Sequence, residues 1–319
     1  MRSTTRVVLF GGLGNQLFQY AFFQYLKISG VNAELVYDEI NIRKTKMGNP
    51  DLCELVPERM GAIHPFNPGD LLARKLLNLS LRLTSPRNSF QVLIYKTVQI
   101  AIARVTRILP VNKRQISGST NSGYSDMRNL SPSTLFIGYF QTFRWASIPE
   151  VNHELQRLGI TKRSNIVEEY SLRATSSFPL VVHIRIGDYL LNPRIGVLSS
   201  EYYINAIKKM WSSESYGEVW IFSDSPELAR EKIGALSDIP FLWVNPVNAS
   251  PSELLEIMRF GSGYVLSNST FGWWGAFLSK THNPKVIAPR NWFKDIIDPV
   301  DICPESWERL DSKFEMTVK

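Results

Sequence analysis

His183 and Arg185 stand two apart in Leu180-Val-Val-His183-Ile-Arg185-Ile-Gly187-Asp188-Tyr189, where an apolar run passes into polar residues. Strand side chains alternate between faces, so the imidazole and the guanidinium share one face near the C-terminal end of a strand. Sites in open α/β sheets lie at such ends. A planar, permanently charged guanidinium can grip a diphosphate with parallel hydrogen bonds, and an imidazole beside it can bond a base or a sugar. The competing use of Arg185 is an ion pair with Asp188 that merely closes the strand end.

Three other segments offer related chemistry. Gly11-Gly12-Leu13-Gly14-Asn15-Gln16 lies between an apolar run and an amphipathic stretch. Small residues there permit a tight turn whose backbone N–H groups face an anion at a helix N-terminus. Leu17 stands where the third glycine of a dinucleotide fingerprint belongs, and no P-loop lysine follows, so an ordinary structural turn is the alternative. In Phe222-Ser223-Asp224-Ser225-Pro226 a strand enters a helix with Ser225 as N-cap and Pro226 at the first position, and Asp224 serves either as a capping charge or as a ligand contact. In Ser267-Asn268-Ser269-Thr270-Phe271-Gly272-Trp273-Trp274, four small hydrogen-bonding residues open an aromatic helix, a terminus suited to phosphate oxygens. The paired tryptophans read first as core packing and second as a sugar platform.

The absences narrow the reaction. No two aspartates lie two apart, so the Asp-x-Asp pattern that holds a divalent ion on a nucleotide diphosphate is missing. The four histidines form no His-Glu-x-x-His motif, and no Gly-x-Ser-x-Gly elbow occurs. Metal-assisted chemistry and acyl transfer are disfavoured.

These segments need a scaffold of alternating strands and helices. The predicted strands are 6–10, 33–37, 134–140, 180–184, 218–222, 241–244, 264–266 and 285–288. The predicted helices cover 15–28, 151–158, 200–211, 252–259 and 271–279, with another starting at Pro226. Alternation of this length predicts an α/β protein of two Rossmann-like, doubly wound halves facing a cleft. The chain has 319 residues, 44% of them hydrophobic and 20% charged, enough for one large domain or two medium ones and too apolar for a disordered chain.

The net charge of +7 is unevenly placed. Residues 71–125 hold nine Lys and Arg and no Asp or Glu, interleaved with apolar residues at helical spacing on both sides of Pro86. Two readings stay open: helices covering a core with a solvated basic rim, or an amphipathic surface lying on an anionic leaflet. Nucleic acid is disfavoured, since no reader motif accompanies the charge. With two cysteines 250 positions apart there is no disulfide framework or CxxC site, so a reducing, cytoplasmic compartment is expected. No signal peptide is expected at the start, and no apolar run reaches the length of a membrane span.

The segments GGLGNQLFQYA (11–21), GYFQ (138–141), HIRIGDY (183–189), FSDS (222–225), SNSTFGWWGAFL (267–278) and APRNWF (288–293) together resemble the bacterial α-1,2-fucosyltransferases. The resemblance implies a GT-B architecture. Residues 1–165 would form an acceptor-side domain with a basic helical insert at 70–125, and residues 166–319 a GDP-fucose-binding domain. It implies inverting transfer of fucose from GDP-fucose to a terminal galactose of an oligosaccharide or lipid-linked glycan, such as an O-antigen precursor, with no metal or other cofactor. Carried over by motif, Arg185 holds the donor diphosphate and His183 lines the nucleotide site. Asp188 supports that motif, Asn268, Ser269 and Thr270 form the phosphate side, and Asp224 faces guanine. Gly12, Gly14 and Asn15 form the loop facing the transferred sugar. The sequence leaves the general base open among Asp38, Glu39 and Asp188. Another sugar-nucleotide donor on the same fold, an NAD-dependent oxidoreductase and an inactive glycan-binding module are the competing readings.

Overall fold

The computed structural model describes residues 4–44, 48–56, 63–65, 115–117, 134–160, 163–236, 238–295, 298–299 and 301–315. The chain divides into two compact units, Met1–Leu158 with Ile296–Pro304, and Gly159–Asp295 with Glu305–Lys319. The sequence reading placed the boundary at 165 and the whole C-terminal stretch in the second half. Residues 296–304 instead group with the first unit, where the Phe143 N–H donates to the Asp301 carbonyl at 3.0 Å and Arg144 pairs with the Asp301 carboxylate at 3.2 Å.

In the first unit, β1 (Thr5–Gly11) leads into α1 (Leu13–Ile28) and β2 (Ala33–Ile42), followed by β3 (Ile63–Pro65), β4 (Gln115–Ser117) and β5 (Thr134–Phe136). The described strands are parallel, in the order β3-β2-β1-β5-β4. The expected basic helical insert lies outside the described residues, except that 115–117 form β4. Short helices α2 (Phe143–Ala146) and α3 (Pro149–Gln156) pack against α1. Twelve of the sixteen residues of α1 are buried. Phe22 stacks on Phe140 at 4.2 Å between ring centroids and meets Trp145 at 4.7 Å, so the helix is held on more than its sheet-facing side.

The second unit holds α4 (Asn165–Ser177), β6 (Leu180–Ile184), α5 (Gly187–Leu190), α6 (Ser200–Ser213) and β7 (Val219–Ser223). Beyond these come α7 (Pro226–Ile233), β8 (Phe241–Trp243), α8 (Pro251–Met258), β9 (Gly263–Val265), α9 (Thr270–Phe277), β10 (Lys285–Pro289) and β11 (Glu308–Leu310). Its parallel sheet runs β11-β10-β9-β6-β7-β8. That is the doubly wound order, whose direction reverses between β6 and β9, the position where such sheets bind ligands. Leu180, Val182 and Ile184 belong to one core cluster with Tyr202, Tyr203, Ala206 and Ile207 of α6 and Ala229 and Ile233 of α7. Strand alternation therefore turns Val181 and His183 to the opposite face, where α9 packs. On that face an added Cβ at Gly272 would lie 2.9 Å from the His183 ring, so only glycine permits this approach of α9 to the strand.

Candidate active site

The guanidinium of Arg185 stands directly after β6 between two carboxylates. Its Nε donates to Asp188 Oδ1 at 2.9 Å, with Nη2 2.8 Å from the same oxygen, and Nε is 3.3 Å from Asp224 Oδ2. The ion pair that the sequence offered as the plain alternative is thus present, with a second carboxylate added. Asp224 does more than balance charge, because its Oδ1 accepts the Ile186 N–H at 2.9 Å. The N-cap of α7, Ser225, makes no side-chain capping bond. Gly187 completes the packing: a Cβ there would lie 2.5 Å from Asp224 Oδ2. The Asp188 side chain is 63% exposed and that of Arg185 25%, so the cation is oriented yet open to an anion.

His183 is buried, and its Nδ1 lies 2.7 Å from Ser267 Oγ across the reversal point. Burial, reinforced by the nearby Arg185 charge and opposed by Asp224, pulls the imidazole down to about 3. The ring is therefore neutral at ordinary pH, and the Ser267 bond fixes its orientation.

After β9 the chain reaches Asn268, whose Nδ2 donates to the Gly196 carbonyl at 3.2 Å. Ser269 caps α9 by accepting the Phe271 N–H at 3.3 Å. Thr270 opens the helix. Trp273 and Trp274 are fully buried and pack with Phe277, with Trp307 also against Trp273, which makes them core.

In the first unit Gly11 has φ +76°, and a Cβ there would lie 2.8 Å from Asn15 Nδ2, so both backbone and space require glycine. The expected turn is shorter than the sequence suggests. Gly12 is already the N-cap of α1, and Gly14 and Asn15 lie in its first turn. Asn15 Oδ1 accepts from Gln141 Nε2 at 3.1 Å. Gln141 follows Phe140, a non-glycine residue at φ +52° held by its stacking on Phe22. Such a conformation costs on the order of 1–3 kcal/mol and persists where packing over-determines it.

The structure thus gathers His183, Arg185, Asp188, Asp224, Asn268, Ser269 and Thr270 at the C-terminal end of the second sheet, and Gly12, Gly14 and Asn15 at that of the first. Sequence reasoning passed over Gln16, Gln19 and Tyr189. Gln16 Nε2 bonds the Gly11 and Arg43 carbonyls at 2.9 and 3.1 Å, while its Oε1 accepts the Leu52 N–H at 2.9 Å. Gln19 accepts the Phe10 N–H at 3.0 Å and donates to the Gly138 carbonyl at 3.2 Å. Both amides brace the end of β1 and the turn into α1, whose first turn carries Asn15, and their signal was a polar residue on the apolar face of a helix. Asp38 stands in β2, but its side chain lies outside what the structure describes. Among the described residues no three His, Cys, Asp or Glu side chains gather as metal ligands, and no helix is long and apolar enough to cross a membrane.

The profile of glycosyl transferase family 11 matches residues 122–303, which include every element of the second-sheet site. The chain belongs to glycosyl transferase family 11. Across nearly its whole length this family 11 chain is similar to the α-1,2-colitosyltransferase of Escherichia coli, 26% identical over 95% of this chain and 97% of that protein. The O-antigen biosynthesis glycosyltransferase WbnK of Escherichia coli is 26% identical over 89% of this chain and 93% of its own. Among solved structures, the NodZ α-1,6-fucosyltransferase soaked with GDP-fucose matches with a TM-score of 0.50 and 13% identity, covering 94% of this chain and 100% of that one. The likeness to NodZ bears on fold alone. With the two parallel sheets, it gives this family 11 glycosyltransferase a GT-B architecture of two Rossmann-like domains.

Proposed function

We propose that this glycosyltransferase transfers fucose from GDP-fucose to the 2-hydroxyl of a terminal galactose on a surface-glycan precursor, with inversion and without a metal. The observation that carries the reading is the convergence of Arg185 and the capped N-terminus of α9 at the reversal point of the second sheet. Arg185 presents a fixed positive charge and the α9 terminus the positive end of a helix dipole, the arrangement a leaving diphosphate needs. The acceptor oxygen bonds to fucose C1 as the bond from C1 to the β-phosphate oxygen breaks, and a β-linked donor becomes an α-linked product. The electron pair leaves with GDP, and the acceptor hydroxyl proton passes to a carboxylate or to water. Arg185 and the α9 terminus stabilise the growing phosphate charge, which is worth more in the transition state than in the bound donor.

The neutral His183 serves the nucleotide side, and Asp188 and Asp224 hold the guanidinium in place. The α1 N-terminus, with Gly12, Gly14 and Asn15, is assigned to the transferred sugar on the motif resemblance. The basic segment 71–125 is assigned to an anionic leaflet on its charge pattern. The lack of an Asp-x-Asp motif supports metal independence. Colitosyl transfer is the second reading, favoured by the relative of that activity that aligns with 95% of this chain.

Calorimetry tests the donor reading. GDP should bind the wild-type chain without added divalent ions, and binding should weaken in Arg185→Ala. Competition between fucosyl and colitosyl donors separates the two readings. Absence of GDP binding would overturn both.

A further inference from the structure

Tyr189 touches both elements that converge on the donor site. Its ring centroid lies 5.6 Å from the Arg185 guanidinium carbon, within cation–π range. Its hydroxyl donates to the Asn268 carbonyl at 3.1 Å. Asn268 is gripped from its other side as well, since its Nδ2 bonds the Gly196 carbonyl, and the next residue is the Ser269 cap of α9. The β6 and β9 ends are therefore joined twice. His183 and Ser267 join them within the core, and Tyr189 and Asn268 join them again beyond it, six residues after His183 and one after Ser267.

We propose that Tyr189 is a positioning residue that fixes the distance between Arg185 and the N-terminus of α9, so that both act on the same phosphate. The proposal rests on the donor reading above. The division of labour follows from the side chain. The ring orients the cation, and the hydroxyl tethers the helix terminus through the backbone of Asn268. Burial pushes the phenol up to about 12, against the Arg185 charge, so the hydroxyl keeps its proton across the working range and remains a donor. Groups that stabilise a transition state must be held close to their productive geometry, and a displacement of about 1 Å can lower a rate by about 10²-fold. A four-residue helix such as α5 has few backbone bonds of its own to provide that precision.

Tyr189→Phe retains the ring and removes the tether, whereas Tyr189→Leu removes both. Steady-state transfer from GDP-fucose should show kcat falling roughly 10-fold in Tyr189→Phe and about 10²-fold in Tyr189→Leu, with the donor KM changing less than about threefold in the former. A purely structural role would not give that split. Thr270→Ala supplies the second readout: its effect on kcat should be smaller in the Tyr189→Phe background than in wild type, because the helix terminus is already released. Wild-type kcat in Tyr189→Phe, or full additivity with Thr270→Ala, would overturn the proposal while leaving the donor reading intact. Wild-type protein that neither binds GDP nor transfers fucose would overturn the donor reading and this role with it.

Discussion

His183 and Ser267 meet at 2.7 Å between β6 and β9, across the one place in the second sheet where the strand order reverses. The bond pins a neutral imidazole at the point where the segments carrying Arg185 and Ser269 leave the sheet. Gly272, on the first full turn of α9, has no room for a side chain against that ring. The strand, the serine and the glycine thus specify one another.

The buried imidazole makes stability depend on pH. Above its unfolded value of 6.5 the ring is neutral in both states and contributes no pH dependence. Between 6.5 and about 3 only the unfolded chain takes up the proton, so stability falls with decreasing pH by at most about 1.4 kcal/mol per unit, and the loss saturates below about 3. Asp51 acts with the opposite sign: burial raises its carboxyl from 3.8 to about 6, so between those values the folded chain holds the proton and gains stability as pH falls. Comparing wild type with His183→Asn isolates the first effect, since Asp51 is common to both. Urea midpoints at pH 7 and pH 5 should fall more in wild type than in the variant. Equal losses would place His183 in a solvated environment instead.

Gly187→Ala should reduce activity through Asp224. The new Cβ would lie 2.5 Å from Asp224 Oδ2 and push it away from Ile186 N–H and Arg185 Nε. We expect kcat to fall at least about 10-fold, with thermal stability lowered by about 1–3 kcal/mol for the disturbed hydrogen bonds. Gly30→Ala is the control for stability: φ is +79° there, with nothing within 4 Å, so it should cost stability without lowering kcat. Equal kcat in both variants would remove Asp224 from the description of the site.

Much of this arrangement was legible before the fold was known. The sequence marks 180–184 as a strand to the residue, because Leu180, Val181, Val182 and Ile184, interrupted only by His183, follow Pro179 and give way to polar positions. The helix and strand around Asp224 and Ser269 were found for the same reason. The three-residue strands β3, β4 and β11 were not, since a strand such as Glu308-Arg309-Leu310 has no apolar run and exists only through its ladder to β10. Helix α4 was missed because Val167 is its one buried residue, which leaves no amphipathic period to detect. Local signals offer Asp224 as a cap or a ligand contact, and the structure adds a bond from the Ile186 N–H. That bond crosses 38 positions of sequence, beyond the reach of any local pattern.

Arg185→Ala should lower kcat by at least about 10²-fold, the usual consequence of deleting a preorganised group aimed at developing charge. Arg185→Lys should recover only part of this, because an ammonium cannot face Asp188, Asp224 and a phosphate with one rigid fork. Initial rates at saturating donor and acceptor measure both. Near-normal turnover in Arg185→Ala would assign the diphosphate to other residues.

The charge of residues 71–125 predicts salt-sensitive binding to anionic membranes. Vesicles containing phosphatidylserine should co-sediment the protein at low ionic strength, and the bound fraction should fall as salt shortens the screening length from about 10 Å at 0.1 M to about 3 Å at 1 M. Neutral vesicles should retain little. Equal binding to both lipids would leave the segment as a solvated rim.

The central claim is tested most directly by transfer of labelled fucose from GDP-fucose to β-galactoside acceptors, run with and without EDTA. The account predicts labelled α-1,2-linked product in both conditions. Loss of product in EDTA would contradict the metal-free mechanism, and no fucose transfer to any galactoside would contradict the proposed activity.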